Sequence, residues 1–448
     1  MQWLENKLNL LSGIIWGEYL LIPLLALVGI YLTIGLRALT WRKIGTAFHA
    51  LWSGRKETDV VKGDISPFQA LMTALSATVG TGNIAGVATA IYFGGPGAIF
   101  WMWVIALFGM ATKYAEAVLA VSYRETDSLG NYVGGPMYYI RNGLGENWRW
   151  MASAFAFFAM FAAFGIGNMV QSNSVADEIN ATFAVPTWMT GLVMAIVAGL
   201  VIIGGVKRIA HVTEKLVPFM AVVYVLAALS IVIINISELP GVITLIVDSA
   251  FNGAAASGGF AGATIWMALR WGFARGIFSN EAGLGSAPIA HAAAQTNDPI
   301  KQGMVAMLGT FIDTLIICSM TAFVIILTGT WNSGLTGAPM TSAAFSAGLF
   351  GYGGYVVTFG IIFFAFTTIL GWSYYGERAA GYLFGTGIIK YYRLCWIVAI
   401  FIGAVVKLNL VWAFADVMNG LMALPNLVAL LLLSPIVFSK TRTYFNKQ

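Results

Sequence analysis

Long, nearly continuous apolar stretches follow one another along this 448-residue chain, and they constrain its fold more than any other feature. A helix needs about 20 apolar residues to cross a bilayer, and most of the stretches reach that length. Hydrophobic residues make up 59% of the chain and charged residues only 10%, whereas soluble domains carry about 25% charged residues. The stretches do not alternate every second residue, which argues against a transmembrane β-barrel. The sequence therefore predicts an all-α integral membrane protein embedded in a lipid bilayer.

Eleven stretches are predicted to be transmembrane helices. Nineteen of the 24 Lys and Arg residues fall in connections on one side, and only Lys7 falls on the other side. Cytoplasmic connections are enriched in Lys and Arg, so we predict a multi-pass protein of the plasma membrane with its N-terminus outside and its C-terminus in the cytoplasm. The approximate limits of the stretches are 14–37, 68–94, 97–122, 150–178, 187–206, 211–236, 262–284, 303–329, 352–377, 394–413 and 415–438.

Ten of these stretches divide into two units of five with opposite orientations. Two such units form an inverted repeat, an arrangement that is common among secondary transporters. The chain is then divided into an extra N-terminal transmembrane helix, a cytoplasmic amphipathic helix with a linker, a first five-helix repeat, an extracellular connection, a second inverted repeat and a cytoplasmic tail. In the same order, the predicted boundaries are 1–40, 41–66, 67–236, 237–261, 262–438 and 439–448.

Glycines interrupt the leading helix of each unit at corresponding positions. Gly80 and Gly82 lie within 68–94, and Gly272 and Gly276 lie within 262–284. Unwound backbone inside a membrane is tolerated only where it lines a cavity or is buried in protein. Paired interruptions therefore point to a binding site at the midplane, with breaks near Gly80 and within 271–276. The alternative is that these glycines only let helices pack closely.

Three segments carry a resemblance to a known family: 74–86 (ALSATVGTGNIAG), 134–139 (GGPMYY) and 275–291 (RGIFSNEAGLGSAPIAH). They closely resemble the alanine or glycine:cation symporter family, the sodium:alanine symporters, and the resemblance extends over nearly the whole chain. It implies a leucine-transporter-like fold with one extra N-terminal helix. It also implies a symporter that takes up small neutral amino acids, alanine and/or glycine, with a sodium gradient.

A zwitterionic amino acid needs donors for its carboxylate and acceptors for its ammonium group. Backbone N–H groups at the start of a half-helix suit the carboxylate, because the helix dipole favours negative charge there. Interhelical hydrogen bonding is the competing interpretation for the polar candidates, and core packing is the competing one for the aromatic candidates. The predicted substrate-binding residues are Thr78, Gly80, Thr81, Gly82, Gln171, Trp271, Phe273, Gly276 and Trp372, with Asn83, Phe164 and Asn168 as weaker candidates.

Adjacent Thr367 and Thr368 offer hard oxygen ligands within an aromatic stretch. By resemblance to the leucine-transporter fold, they would complete a sodium site with backbone carbonyls at about Ser76 and Val79. The alternative is that each hydroxyl bonds back to its own helix. We expect sodium as the coupling ion and no other cofactor, transition metal or nucleic-acid partner.

A proton-coupled amino-acid transporter of the same fold is the second candidate. Lys215 is the only lysine of the stretch 211–236 and lies at its end, which favours sodium over protons. The chain has no HExxH or GxSxG motif, and its three histidines are far apart in sequence, so we do not expect an enzyme.

Overall fold

The computed structural model describes residues 2–17, 20–55, 62–252, 264–406 and 409–446, which are almost entirely helical. One short antiparallel ribbon joins β1 (Glu125–Thr126) to β2 (Tyr132–Val133). The helices up to residue 252 are α1 (Gln2–Ile15), α2 (Leu21–Gly35), α3 (Leu39–Arg42), α4 (Ile44–Ser53), α5 (Pro67–Thr78), α6 (Val87–Gly94), α7 (Gly97–Ser122), α8 (Pro136–Leu144), α9 (Arg149–Ala162), α10 (Val170–Phe183), α11 (Thr187–Ile202), α12 (Gly205–Ile234) and α13 (Leu239–Asn252).

Eight further α-helices and several short helical segments complete the described part of the chain. Segments of π-helix, Gly82–Gly86, Ala163–Met169 and Phe311–Cys318, continue directly into α-helices, and single 3-10 turns occur at Glu146–Trp148, Thr330–Asn332 and Thr386–Ile388. The α-helices are α14 (Ile265–Asn280), α15 (Ala287–Ala292), α16 (Pro299–Thr310), α17 (Ser319–Leu327), α18 (Gly337–Gly348), α19 (Gly353–Phe384), α20 (Ile389–Val405) and α21 (Asn409–Asn446).

Among the described residues, seven helical runs are long and apolar enough to cross a membrane. The run α5 to α6, which bends by 55° at its break, adds an eighth if it counts as one span. Helices α2 and α11 are apolar but shorter. Exposed Leu192, Val193 and Ile196 on α11 are typical of a surface that faces lipid rather than water.

The helices differ from the predicted stretches in three places. The stretch 14–37 is divided between two helices, since α1 ends at Ile15 and α2 begins at Leu21. The connection 237–261 contains the helix α13, and its residues 253–261 lie outside the described part. In the described part of the stretch 262–284, which begins at residue 264, the helix extends from Ile265 to Asn280.

The bundle has two ends, and the broken helices run between them in opposite directions. At one end, which we call the Ile65 end, Ile65 before α5 pairs with Ala294 after α15. At the other, the Gly94 end, Gly94 at the end of α6 packs against Ala268 near the start of α14. The run α5–α6 therefore leads from the Ile65 end to the Gly94 end, and α14–α15 leads back.

Candidate functional site: two broken helices in the bundle core

The first predicted break, near Gly80, is confirmed. A capping box of Ser66 and Gln69 starts α5, which ends at Thr78, and the chain resumes as the π-helical turn Gly82–Gly86. The amide of Gly80 donates to the side-chain Oδ1 of Asn83 at 2.9 Å. Asn83 thus caps the break, a structural role that the sequence analysis did not assign to it.

Hydroxyl groups from neighbouring helices satisfy carbonyls in the π-helical turn. Thr321 donates to the carbonyl of Asn83 at 2.8 Å, and Thr341 donates to the carbonyl of Ile84 at 3.0 Å. Buried backbone polar groups need such partners when regular helical hydrogen bonding is disturbed. These contacts fix the unwound segment between α17 and α18.

Asp313 lies beside this break and was not among the predicted site residues. Its buried carboxylate accepts hydrogen bonds from the Asn83 amide at 2.7 Å, the Ser279 hydroxyl at 2.9 Å and the Thr314 hydroxyl at 2.8 Å. All three donors are neutral, so they solvate the carboxylate without cancelling its charge. The available signal was an acidic residue inside an apolar stretch, which marks a functional site by default.

The second break is not where the sequence placed it. Helix α14 is continuous through 271–276 and ends at Asn280, and α15 begins only at Ala287. Between them Glu281, Gly283 and Gly285 all have positive φ, at 56°, 89° and 83°. This left-handed conformation suits glycine and ends the helix.

The glycines at 272 and 276 have the competing role, close packing. A Cβ atom at Gly272 would collide with the carbonyl oxygen of Ala98 on α7, and one at Gly276 would lie 2.7 Å from Cγ2 of Ile105. Small residues allow two helix backbones to approach in this way. Gly276 therefore contacts α7 in this structure, not the break at Gly80.

Trp372, predicted to wall the pocket, contacts the second break. Its indole Nε1 donates to the Glu281 carboxylate at 2.9 Å, and its Cβ packs directly against Gly167. The other oxygen of Glu281 accepts from Ser286 at 2.5 Å, across the unwound segment. Glu281 therefore links α19 to both sides of the second break.

Gln171 and Thr368 meet at Gly80. A Cβ atom added to Gly80 would lie 2.7 Å from Oγ1 of Thr368 and 3.7 Å from Oε1 of Gln171. The Gln171 amide nitrogen donates to the carbonyl of Ile166 at 3.0 Å. Its Oε1 is buried and has no hydrogen-bond partner among the described residues. The structure thus places a free acceptor and a hydroxyl oxygen beside the unwound backbone.

The hydroxyls of the two threonines predicted as sodium ligands bond back to their own helix, as the alternative interpretation held. Thr367 and Thr368 both donate to the carbonyl of Phe364, at 3.0 and 2.9 Å, and Ser76 donates to the carbonyl of Thr73. A hydroxyl that donates its proton in this way keeps its lone pairs available as acceptors. The back-bonds therefore leave the oxygens of both threonines able to coordinate a cation.

Three other predicted residues belong to the first broken helix. Thr78 donates to the carbonyls of Ala74 and Leu75, and Val79 is the C-cap of α5. Thr81 is buried in the break. Beyond Thr81, the Cβ position of Gly82 faces Ser279 of α14 at 3.4 Å, so the two broken helices touch there.

The aromatic candidates on α14 do not join this group. Trp271 stacks on Phe93 with ring centroids 4.4 Å apart, and Phe273 packs edge-on against Trp101 at 5.9 Å. Both lie toward the Gly94 end of α14. Their predicted position followed from the misplaced break.

The weaker candidates Phe164 and Asn168 contact α20. Phe164 packs against Tyr392 and Trp396, and the Asn168 amide donates to the Trp396 carbonyl at 2.9 Å. For Asn168 this is the interhelical hydrogen bond that was the competing interpretation.

Polar contacts close the bundle at the Ile65 end. The guanidinium of Arg124 donates to four backbone carbonyls, those of Lys62, Ala292, Ala294 and Thr296. It thereby ties the chain before α5 to the end of α15.

The ribbon β1–β2 takes part in the same closure. Asp64 accepts the amide of Tyr132 on β2 at 2.7 Å, and burial raises the pKa of the Asp64 carboxyl above its ordinary value. Arg378 on α19 forms an ion pair with Asp127 in the turn of the ribbon at 3.1 Å.

Two helices broken in the core of an apolar bundle are typical of secondary transporters, and the fold agrees with that class. A crystal structure of a manganese transporter from Eremococcus coleocola superposes with a TM-score of 0.51, at 12% identity, over 84% of this chain and 78% of that one. At this identity the likeness concerns the fold alone.

The model of the sodium:alanine symporter family matches residues 1–448, and the chain belongs to that family. The sodium/alanine symporter AgcS of Methanococcus maripaludis is 51% identical, over 98% of this chain and 97% of that protein. An uncharacterized transporter of Haemophilus influenzae is 52% identical, over 99% of this chain and 97% of that protein. The chain is accordingly a multi-pass membrane transporter of the cation-coupled amino-acid symporter class, not an enzyme.

Proposed function

We propose that this protein is a sodium-driven symporter that takes up alanine and/or glycine by alternating access around the break at Gly80. The observation that carries the proposal is the buried Oε1 of Gln171, which lies beside Gly80 and Thr368 and has no hydrogen-bond partner in the described part of the chain. An amide oxygen of this kind can accept from an ammonium group, and its position next to unwound backbone and the Thr368 hydroxyl supports the proposal.

The amino acid would bind across the break. The amides of Thr81 and Gly82 lie at the start of the second half-helix, where N–H groups lack intrahelical acceptors and favour a carboxylate. The Oε1 of Gln171 would accept from the ammonium group. An unsatisfied buried acceptor costs about 1–3 kcal/mol, and a bound ammonium group would remove that cost. Thr78 and Trp372 remain proposed contacts, whereas Trp271, Phe273 and Gly276 pack against α6 and α7 and are not part of the proposal.

Sodium would bind between the broken helix and α19. The proposed ligands are the hydroxyls of Thr367 and Thr368 and the carbonyls of Ser76 and Val79. The buried carboxylate of Asp313 supports a cation in this region, because the three groups that donate hydrogen bonds to it are all neutral. Met220 of α12 faces Thr367, and Lys215 on the same helix is exposed, which favours a metal ion over a lysine-based proton relay.

Eleven spans in a leucine-transporter-like inverted repeat form part of the proposal. Eleven spans result when helices α2 and α11 and the pair α14–α15 are added to the eight runs described above. The opposite directions of the two broken helices support the repeat. Arg124, Arg141, Arg378 and Arg393 gather at the Ile65 end, which supports a cytoplasmic position for that end. The N-terminus would then be outside.

Uptake into liposomes tests the coupling. Purified protein would be reconstituted, and uptake of labelled alanine would be measured with and without an inward sodium gradient at fixed pH. We expect accumulation only with the sodium gradient. Uptake that ignores sodium but follows a proton gradient would establish the proton-coupled alternative instead.

A double substitution tests the sodium site. We expect Thr367→Val with Thr368→Val to abolish sodium-dependent uptake, because both hydroxyl oxygens are lost while the side-chain volumes are kept. Thr89→Val is the matched control, since Thr89 also bonds back to its own helix, at Ala85, but lies beyond the break on α6. Unchanged sodium dependence in the double variant, with the control also unchanged, would reject the site.

A further inference from the structure

A cavity with charged residues in its wall opens near the Gly94 end of the bundle. It has a volume of about 260 Å³ and lies between α1, α14 and α21. A water molecule occupies about 30 Å³ of liquid, so the cavity has room for a small amino acid. The residues that carry charge toward it are Arg270, Arg275 and Asp416.

Arg275 and Asp416 present opposite charges from different helices. The Nε of Arg275 is buried and has no hydrogen-bond partner among the described residues. Within the described chain, no ion pair of 4.0 Å or less joins the Arg275 guanidinium to the Asp416 carboxylate. The indole of Trp16 donates to the backbone carbonyl of Asp416 at 2.9 Å, which anchors α1 as the third wall. The two charges are therefore held apart across a space that a ligand can enter.

The inner wall of this cavity adjoins the break at Gly80. The Arg275 guanidinium lies 5.3 Å from the Trp271 ring and 5.7 Å from the Phe278 ring. Phe278 in turn lies 3.4 Å from the Cβ position of Gly82. The Phe278 ring thus lines the cavity and also lies beside the unwound backbone.

We propose that this cavity between α1, α14 and α21 is a separate binding site for zwitterionic α-amino acids, which they occupy before they reach the break at Gly80. The guanidinium of Arg275, including its free Nε, binds the carboxylate, since charge-assisted hydrogen bonds to carboxylates are the strong ones. Asp416 binds the ammonium group. A ligand with only one of these charges would leave the other protein charge unpaired in a partly enclosed site, which is costly. This inference rests on the proposed function and adds a site to it.

Equilibrium binding of labelled alanine to the whole protein in nanodiscs, at saturating sodium, tests the proposal. We expect two alanines bound per wild-type protein and one bound to Arg275→Gln or to Asp416→Asn. The matched control is Arg270→Gln, the same loss of charge at an exposed position on the rim of the cavity, for which two bound alanines are expected. One alanine bound to the wild type, or two bound to both charge variants, would overturn the proposal.

Gln171→Ala isolates the new site from the central one. This variant should lose sodium-driven uptake yet still bind one labelled alanine. Unlabelled alanine and glycine should displace that label at least tenfold better than propionate or ethylamine do. Propionate or ethylamine competing as well as alanine would overturn zwitterion recognition. Failure of sodium-driven uptake in the wild type would instead reject the proposed function, so the two failures are distinguishable.

Discussion

Replacing Gly80 by Ala places one methyl group where the broken helix, Thr368 and Gln171 meet. The new Cβ would lie 2.7 Å from the Thr368 hydroxyl oxygen, well inside van der Waals contact, whereas its 3.7 Å distance from Gln171 is an ordinary contact. The side chain of Thr368 must therefore rotate, or the two helices must separate. Overpacking of this kind costs about 1–3 kcal/mol.

That cost should fall on sodium binding if Thr368 is a ligand. At about 1.4 kcal/mol for each tenfold change in affinity, the apparent affinity for sodium should fall roughly fivefold to a hundredfold. The assay is the initial rate of labelled alanine uptake into liposomes as a function of sodium concentration. Thermal unfolding in detergent, measured in parallel, separates this effect from loss of the folded protein.

Two other glycines on the same broken helix provide graded controls. A Cβ at Gly82 would lie 3.4 Å from Phe278 and Ser279, and one at Gly86 would meet nothing within 4 Å. We expect Gly82→Ala to have a small effect on sodium affinity and Gly86→Ala to have none. If Gly80→Ala retained the wild-type sodium dependence, or if the order were reversed, Thr368 would not be part of the sodium site.

Three further substitutions test contacts elsewhere in the fold. Gly272→Ala should lower the free energy of unfolding by about 1–3 kcal/mol, because the methyl group collides with the carbonyl of Ala98; an unchanged Tm would mean that α14 is unwound there after all. Trp372→Phe should destabilise the protein by about 1.5–3 kcal/mol, because the indole that donates to Glu281 is lost, and the Tm should fall accordingly. An unchanged Tm would show that this hydrogen bond is not formed. Arg124→Gln should loosen the Ile65 end, so amide hydrogen exchange of residues 287–296 should become at least tenfold faster. Unchanged protection of these amides would show that Arg124 does not hold this end closed.

The break at Gly80 could be predicted from sequence because its cause is local. Gly80 and Gly82 lie next to Asn83, whose side chain reaches back to cap the free amide of Gly80. The same residues that disturb the helix also stabilise the unwound form, and all of them lie within a few positions of one another.

The break in the second helix could not be placed by the same reasoning. The sequence placed the break at Gly272 and Gly276, but it lies at Gly283 and Gly285, and a glycine serves equally for unwinding and for close packing. Which role it plays depends on whether another backbone, here that of α7 at Ala98, lies against it. That contact joins residues far apart in the chain.

The sequence by itself determined the bilayer environment, the helical class and the first break, because hydrophobicity, helix periodicity and glycine content act over one helix at a time. Gln171 and Thr368 were candidates from sequence, but it is the packing of three helices that brings them to Gly80. Only the tertiary structure decided that Asp313 lies beside Asn83, that Glu281 holds Trp372, and that Arg275 faces Asp416 across a cavity. Buried polar groups in a membrane protein must find partners on other helices, and the partner is set by how the helices pack.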